Sequence, residues 1–332
     1  MRRTNLLRIV IFGALAASAP AQVSGPVMGY LPDNGALRTL YGIPASGWVG
    51  DAVAPDRALS LIAMSPDQSR ALAIAADTGA LMLLTPATGV TAHVNGAASG
   101  ADRIVFSPSG TAAALWFSAN GHVQVVSGLA AVPAVRDIDA SFLGGDPTSL
   151  AVSDDGQFVA GAWLGQWSSS VYAFGPAGGA PLPVAGPAEA LCFFHGRADV
   201  AVITASQVVI VTDIGGAVVP NVIYNKPDNS ASPASTAPVE VAVGFAVSFD
   251  NRYLSIAGNL GSLATFDLTA GSSAGANCNC TPSGLAGMGG SLYRLTGVNG
   301  GALKVFDAST DDVWFVPLAA PVTASVTAGG RQ

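Results

Sequence analysis

A short polar turn that recurs at a nearly constant spacing constrains this chain more than any other feature of its sequence. Each copy follows an apolar run, and four copies are clear: Ser65-Pro66-Asp67, Ser107-Pro108-Ser109-Gly110, Ser153-Asp154-Asp155-Gly156 and Ser248-Phe249-Asp250-Asn251. The first three serines are 42 and 46 residues apart, and the fourth follows after 95 residues, which is two such periods. Divergent copies lie at 192–196 and near 292. A period of this length indicates one supersecondary unit that is repeated along the chain.

Each unit contains four short apolar segments separated by turn residues. In the first clear unit the segments are 61–64, 70–75, 81–84 and 90–94, and one of the turns is Asp77-Thr78-Gly79. Helical periodicity is weak throughout the repeats. Four strands in about 40 to 45 residues is the spacing of a propeller blade. The sequence therefore predicts an all-β protein, a β-propeller with four-stranded antiparallel blades.

Two of the copies carry a family resemblance. The unit 64–89, which starts with Met64-Ser65-Pro66-Asp67, and more closely the segment 151–160 resemble the Ser-Pro-Asp-Gly units of bacterial YVTN-type and Tol-system-like β-propellers, which are distant relatives of WD-repeat blades. The likeness covers about residues 58–326 in six units, but the chain has no Trp-Asp dipeptide and the copies at 190–196 and 292–300 lack the signature. The resemblance implies the propeller fold and no single activity, because such propellers host binding, scaffolding and unrelated enzymes.

The number of blades is predicted from the chain length. About 310 residues follow an N-terminal leader, and at about 45 residues a blade they make seven blades. In this division residues 22–57 form a thin first blade, residues 58–326 the clear repeats and residues 327–332 a C-terminal tail. The alternative is six blades preceded by an N-terminal hairpin that turns at Asp33-Asn34-Gly35. Two segments between units are interpreted as inserted surface loops: 225–241, rich in Pro, Ser, Ala and Asn, and 271–290, rich in Gly and Ser.

The leader, residues 1–21, has the pattern of a secretory signal peptide. Arg2, Arg3 and Arg8 precede an apolar stretch that is too short to cross a bilayer, and Ala19-Pro20-Ala21 is a small-residue cleavage site. No later run has the length of a membrane helix. We therefore expect a periplasmic or secreted protein, with an uncleaved anchor as the alternative. An outer-membrane barrel is disfavoured because the segments alternate poorly and residues 329–332 are polar.

Net charge limits the partners. Without the leader, 21 acidic side chains stand against 11 basic ones. Such a surface repels phosphate backbones and anionic lipid, so neither a nucleic-acid partner nor a membrane-surface partner is expected.

The three cysteines are few for an exported protein. Cys278 and Cys280, two positions apart, are a candidate disulfide, with two unrelated thiols as the alternative. Cys192 lies in an apolar run, where a buried small side chain is the simplest interpretation. Zinc would require four Cys or His ligands in close pairs, which the sequence lacks, so neither a metal nor a cofactor is predicted.

Two groups of residues are candidate binding sites. Four acids precede predicted inner strands and could line one mouth of a central channel, where they would bind a cation or a cationic ligand; they are Asp102, Asp146, Glu189 and Glu240. Trp163 and Trp167 could form a platform for sugar or peptide. The alternatives are solvated loop acids and packing between blades. The inner strands are otherwise apolar, with Arg294 as their only charge, which indicates structural channel walls.

No catalytic set accompanies these repeats. The sequence has no G-x-S-x-G element before a helix, and its three histidines, His93, His122 and His195, fall on different blades. We expect an exported, monomeric, non-enzymatic binding or scaffold module whose protein or carbohydrate partner contacts one loop face. The alternative is a lactonase-like propeller hydrolase, for which the resemblance to six-bladed lactonases implies a divalent cation at the channel mouth.

Overall fold

Seven small antiparallel sheets make up the structure. A computed structural model describes residues 25–164, 169–225, 240–297 and 302–317. Six of the sheets have four strands and the first has three. They are the blades of a β-propeller, as the sequence predicted, and the blade number of seven with a thin first blade is confirmed. The alternative of six blades plus a hairpin is wrong.

The strands follow one another blade by blade. Blade 1 contains β1 (Val27–Asp33), β2 (Ala36–Ile43) and β3 (Ser46–Val53). Blade 2 contains β4 (Leu59–Met64), β5 (Ala71–Ala75), β6 (Leu81–Thr85) and β7 (Val90–His93). Blade 3 contains β8 (Arg103–Phe106), β9 (Ala113–Phe117), β10 (His122–Ser127) and β11 (Ala134–Asp139), followed by a 3-10 turn (Ser141–Leu143). Blade 4 contains β12 (Pro147–Val152), β13 (Val159–Leu164), β14 (Ser169–Gly175) and β15 (Gly178–Pro181).

The last three blades repeat this order. Blade 5 contains β16 (Ala188–Phe193), β17 (Val200–Thr204), β18 (Gln207–Thr212) and β19 (Val219–Asn225). Blade 6 contains β20 (Ala242–Val247), β21 (Tyr253–Gly258), β22 (Ser262–Asp267) and β23 (Ser272–Asn277). Blade 7 contains β24 (Ala286–Gly287), β25 (Leu292–Arg294), β26 (Leu303–Asp307) and β27 (Asp312–Val316). Within the described residues no helix is long and apolar enough to span a membrane.

Apolar side chains are buried mainly between blades. Seven clusters form the core, each contributed by two neighbouring blades, and one of them joins blade 7 to blade 1 through Leu31, Leu40 and Val305. The second strands β5, β9 and β17 are buried at every position because a neighbouring blade covers each of their faces. This explains why they are continuous apolar runs and do not alternate.

The repeated serine holds the turn between the first and second strands of a blade. The Ser153 hydroxyl is buried, donates a hydrogen bond to Asp155 and accepts one from the Phe158 backbone N–H. Ser65 and Ser248 make the corresponding bonds. Asp and Ser side chains thus cap the turn backbone, which is the local role that their residue types favour. We call these turns together the turn face: residues 65–70, 107–112, 153–158, 194–199, 248–252 and 288–291.

Neighbouring turns are also joined to one another. The Asp154 carboxylate accepts hydrogen bonds from the backbone N–H groups of Ser109 in blade 3 and Gly196 in blade 5. The Asn251 amide donates to the His195 carbonyl and accepts from the His195 N–H. The turn face is therefore continuous from blade 3 to blade 6.

The innermost strand of blade 1 runs in the opposite direction to those of the other blades. The first strands of blades 2 to 7 run toward the turn face, whereas β1 starts beside the blade 2 turn at Gln68 and ends beside Leu59, at the start of β4. Blade 1 therefore lacks a strand that corresponds to β4. Gln68 bridges the gap: its side chain accepts from Tyr30 N at 2.8 Å and donates to Gly287 O of blade 7 at 2.8 Å.

Two details of the predicted organisation are wrong. The segment 271–290, interpreted from its Gly and Ser content as an inserted loop, contains the outer strand β23 and the inner strand β24. Arg294 lies on β25, the second strand of blade 7, so it is not an inner-strand residue. The leader, the segment 327–332 and most of the other proposed insertion, 225–241, lie outside the described residues.

Candidate functional site

The first strands of blades 3 to 7 and the turn of blade 2 surround an axial cavity of about 470 Å³. Its mouth is on the turn face, where Pro66, Pro108, His195 and Phe249 line it. Phe249 is 62% exposed there and its ring contacts the His195 ring, with centroids 4.8 Å apart. The volume falls within the range of small-ligand sites in proteins.

The cavity wall is mostly apolar because successive blades present the same kind of side chain to the axis. Its members come from the first strands and from the start of β25: Val105, Phe106, Leu150, Ala151, Leu191, Phe193, Phe245, Ala246 and Leu292. Such a wall favours a ligand with apolar surface, since each apolar Å² removed from water contributes about 25 cal/mol.

Four polar side chains interrupt this wall: Asp67, Cys192, His195 and Tyr293. Asp67 lies at the mouth, and hydrogen bonds from Ser65 and Ser69 outweigh burial and lower its pKa. The Tyr293 hydroxyl and His195 Nδ1 are buried and have no hydrogen-bond partner in the described part of the chain, and Cys192 is a free thiol. Burial raises the pKa of Cys192, and burial with the nearby Cys192, Asp250 and Asp307 raises the pKa of Tyr293. Both groups are therefore neutral donors at neutral pH.

His195 is neutral for a related reason. Burial lowers the pKa of its imidazole and outweighs the carboxylates of Asp154 and Asp250, which act in the opposite direction. Its Nδ1 lies 3.9 Å from Asp154 Oδ2, beyond hydrogen-bond distance. A ligand at the mouth could take up this unused hydrogen-bonding capacity.

A second cavity of about 270 Å³ adjoins the first and shares Pro66, Val105 and Gly287 with it. It lies beside Tyr30 and Leu31 of β1, where blade 1 lacks the strand that the other blades have. Arg294 and Gln68 are its polar lining residues. Burial lowers the pKa of the Arg294 guanidinium, which nevertheless remains charged at neutral pH.

None of the four acids predicted to form a rim lines the axial cavity. They lie at the starts of first strands, on the face opposite the turn face. Asp102 accepts hydrogen bonds from Ser118, which lower its pKa, and Asp146 accepts one from the Trp116 indole. Glu189 accepts from Ala242 N of the next blade, and Glu240 accepts from Leu260 N and Ser262 N. The described residues hold no cluster of three or more His, Cys, Asp or Glu side chains suited to a metal.

The aromatic pair is not a surface platform as far as the structure describes it. Trp163 is 2% exposed and packs between blades 3 and 4, with its ring 6.3 Å from that of Trp116. Trp167 lies outside the described residues. Trp163 therefore packs between blades, which is the alternative that the sequence analysis gives for this pair.

The structure joins Cys278 and Cys280 in a disulfide just after β23. Cys278 is buried between blades 6 and 7. The bridge is remote from the axial cavity, since neither cysteine lines it.

Sequence reasoning missed the axial cavity and the role of Gln68. A signal for Gln68 exists in the repeat: it holds the position that Gly110 and Gly156 hold in other turns, and all three adopt positive φ. A glutamine in a conformation that favours glycine indicates that its side chain has a specific task. The cavity itself has no comparable signal, because its wall residues are ordinary strand residues.

Comparison with known proteins gives the fold alone. No family model matches this chain, and neither does any curated protein sequence. A functionally unknown protein from Desulfotomaculum acetoxidans is 12% identical, with a TM-score of 0.55 over 87% of this chain and 99% of that one. Hydrazine synthase from Kuenenia stuttgartiensis is 14% identical, with a TM-score of 0.50 over 92% and 99%.

The Cps50 (Swd1) β-propeller domain from Myceliophteria thermophila is also similar. It is 14% identical, with a TM-score of 0.46 over 64% of this chain and 66% of that one, just under two thirds of that domain. At these identities the likenesses describe the propeller architecture and carry no activity. The narrower resemblance to YVTN-type propellers stays a prediction from the sequence.

Proposed function

We propose that this protein is an exported binding module that takes an apolar ligand through the turn face into the axial cavity. The observation that carries this proposal is the cavity wall, which is apolar apart from the Asp67 carboxylate at its mouth and three neutral polar side chains, and which opens beside the exposed Phe249. Export rests on the leader pattern of residues 1–21.

An apolar ligand fits this cavity better than the carbohydrate partner considered from the sequence. Sugar binding needs many hydrogen-bonding groups, whereas unpartnered polar groups are few in this wall. Asp67, Cys192, His195 and Tyr293 are the polar residues of the lining, and a small number of polar groups fixes the orientation of the ligand in most small-molecule sites.

A binding role is also favoured over the lactonase-like alternative. That reaction would need carboxylates that converge on a cation, and the acids proposed for the task hydrogen-bond to backbone N–H groups, Ser118 or the Trp116 indole on the opposite face. Their positions support a structural use for each of them.

A neutral fluorescent apolar probe, N-phenyl-1-naphthylamine, tests the proposal. We expect the wild-type protein to bind it with enhanced fluorescence and Ala246→Phe to lose at least about tenfold in affinity, because the new ring fills the cavity. Ala274→Phe is the matched control, since it adds the same ring on the exposed outer strand β23 and should bind like wild type.

A second readout is the urea midpoint of unfolding. Excess probe should raise this midpoint for wild type, because a ligand that binds only the folded protein stabilises it, and should leave it unchanged for Ala246→Phe. Absence of probe binding, or equal binding and equal stabilisation of wild type and Ala246→Phe, would falsify the proposal.

A further inference from the structure

Arg294 has no polar partner among the residues that the structure describes. No hydrogen bond or ion pair involves its guanidinium in the described part of the chain. Each of the other seven arginines there has at least one polar partner: Arg38, Arg57, Arg70, Arg103, Arg136, Arg197 and Arg252. Arg294 is therefore the exception among these cations.

Its surroundings make this isolation costly. The guanidinium lies in the second cavity, whose other lining includes Leu31, Met64 and Met288. Arg294 is only partly exposed, so its guanidinium has lost part of its contact with water without gaining a polar partner, which is unfavourable; buried cations in proteins are normally paired with an anion. The one amide in this cavity, that of Gln68, is occupied by Tyr30 N and Gly287 O.

The position of Arg294 beside the axial cavity restricts the kind of anion that can pair with it. The two cavities lie side by side, since they share five lining residues: Pro66, Val105, Phe106, Leu285 and Gly287. A molecule that occupies both has to pass between these residues. No second cation lines either cavity, which favours a single negative charge over a phosphate dianion. A guanidinium matches a carboxylate with two parallel hydrogen bonds.

We infer that the ligand is an amphipathic carboxylate, whose charged end binds Arg294 in the second cavity and whose apolar body fills the axial cavity. This inference rests on the proposed function and names the chemical class of its ligand. The larger, apolar cavity contributes affinity, and Arg294 selects the charge of the head group.

Displacement of N-phenyl-1-naphthylamine by three ligands with the same alkyl chain tests the inference. They are dodecanoate, dodecanol and dodecyltrimethylammonium. For wild type we expect dodecanoate to bind at least about tenfold more tightly than dodecanol, and dodecyltrimethylammonium to bind most weakly, because a charge-assisted bidentate pair has that order of strength.

Variants of Arg294 assign the selectivity to that residue. Arg294→Met should bring dodecanoate and dodecanol to similar affinities, whereas Arg294→Lys should keep part of the preference as a point charge. Arg197→Met is the matched control, since Arg197 is an exposed cation on the turn face that lines neither cavity, with 60% of its side chain exposed. It should keep the wild-type order.

Each outcome separates this inference from the proposed function. If wild type binds the probe but does not distinguish dodecanoate from dodecanol, the cavity proposal stands and the Arg294 inference is overturned. Displacement by acetate as strong as that by dodecanoate overturns it too, because the site would then need no apolar body. If Arg294→Met does not fold, the wild-type series and Arg294→Lys still decide.

Discussion

At the scale of single residues, the same side-chain type serves different purposes according to the blade that surrounds it. Trp116 and Trp163 occupy adjacent blades, are both buried and contact each other. The Trp116 indole donates to the Asp146 carboxylate at 2.9 Å, whereas the Trp163 indole N–H has no partner within the described residues. Burying the Trp163 indole N–H without a partner is unfavourable, whereas the paired indole N–H of Trp116 does not carry this cost.

This pair gives a matched prediction. Trp116→Phe and Trp163→Phe remove the same ring volume, but only the first also removes a hydrogen bond, and the second removes an unpaired donor. We expect Trp163→Phe to be more stable than Trp116→Phe by about 1–3 kcal/mol in urea unfolding. Equal free energies of unfolding for the two variants would show that the Trp116–Asp146 bond contributes nothing.

At the scale of the element, the turn between the first and second strands determines how a blade meets its neighbours. Its fourth position has positive φ in each clear copy, at Gln68, Gly110, Gly156 and Asn251. Where this position is glycine in blade 4, the preceding Asp154 makes the contacts to neighbouring blades. Where it is Gln68 or Asn251, that side chain makes them itself.

Gln68 therefore adopts a strained backbone conformation, and from it its side chain links blade 2 to blades 1 and 7. Gly29 of β1 has to be glycine for this contact, since a Cβ there would lie 2.9 Å from Gln68 Oε1. We expect Gln68→Gly to destabilise the protein although it relieves a conformational cost of about 1 kcal/mol. Gln68→Ala should lose about 2 kcal/mol, since it keeps the strain and removes two hydrogen bonds between blades.

Chemical denaturation of both variants measures this effect. Gln157→Ala is the control, because Gln157 is an exposed residue of the equivalent turn in blade 4 whose side chain makes no hydrogen bond in the described region. A Gln68→Gly variant as stable as wild type or more stable would mean that the bridge to Gly287 has no net value.

At the scale of the whole molecule, aspartates that hold turns and hairpins make stability depend on pH. Hydrogen bonds from Ser118 lower the pKa of Asp102, and those from Ser248 lower the pKa of Asp250. The Arg252 guanidinium, with the Ala270 and Thr269 N–H groups, lowers the pKa of Asp267 to about 2. Each such carboxylate binds a proton more readily in the unfolded chain than in the folded one.

The direction of the pH dependence follows from this difference. Stability from these groups is complete above the ordinary aspartate pKa of about 3.9 and is lost as the pH falls through the lower folded values. We expect the free energy of unfolding to decrease between about pH 5 and about pH 2. Asp267→Asn should flatten the lowest part of this curve, whereas Asp312→Asn, which removes an exposed carboxylate without a hydrogen bond in the described region, should not. A wild-type curve without slope in this range would contradict the assignment.

The closed ring also explains how much of the architecture the sequence could predict. Each blade has one apolar cluster on either side, including the cluster between blades 7 and 1, so repeat length and apolar content were enough to predict blades and their number. The direction of β1 was not predictable. In the other blades the serine turn identifies the first strand, and the three-stranded blade 1 has no such turn to show which of its strands is missing. The same applies to the short inner strand β24, which lies in a Gly-rich and Ser-rich stretch.

The amino-acid sequence by itself determined the propeller, because each repeat needs neighbours to bury its apolar faces and its serine turn depends on contacts only a few residues apart. The tertiary structure alone decided the candidate site. The axial cavity is the space left between strands and turns of six blades, which are distant in sequence, and the isolation of Arg294 depends on which side chains surround it in three dimensions. Local patterns record local hydrogen bonds and burial, whereas an empty volume and an unpaired charge are properties of the assembled ring.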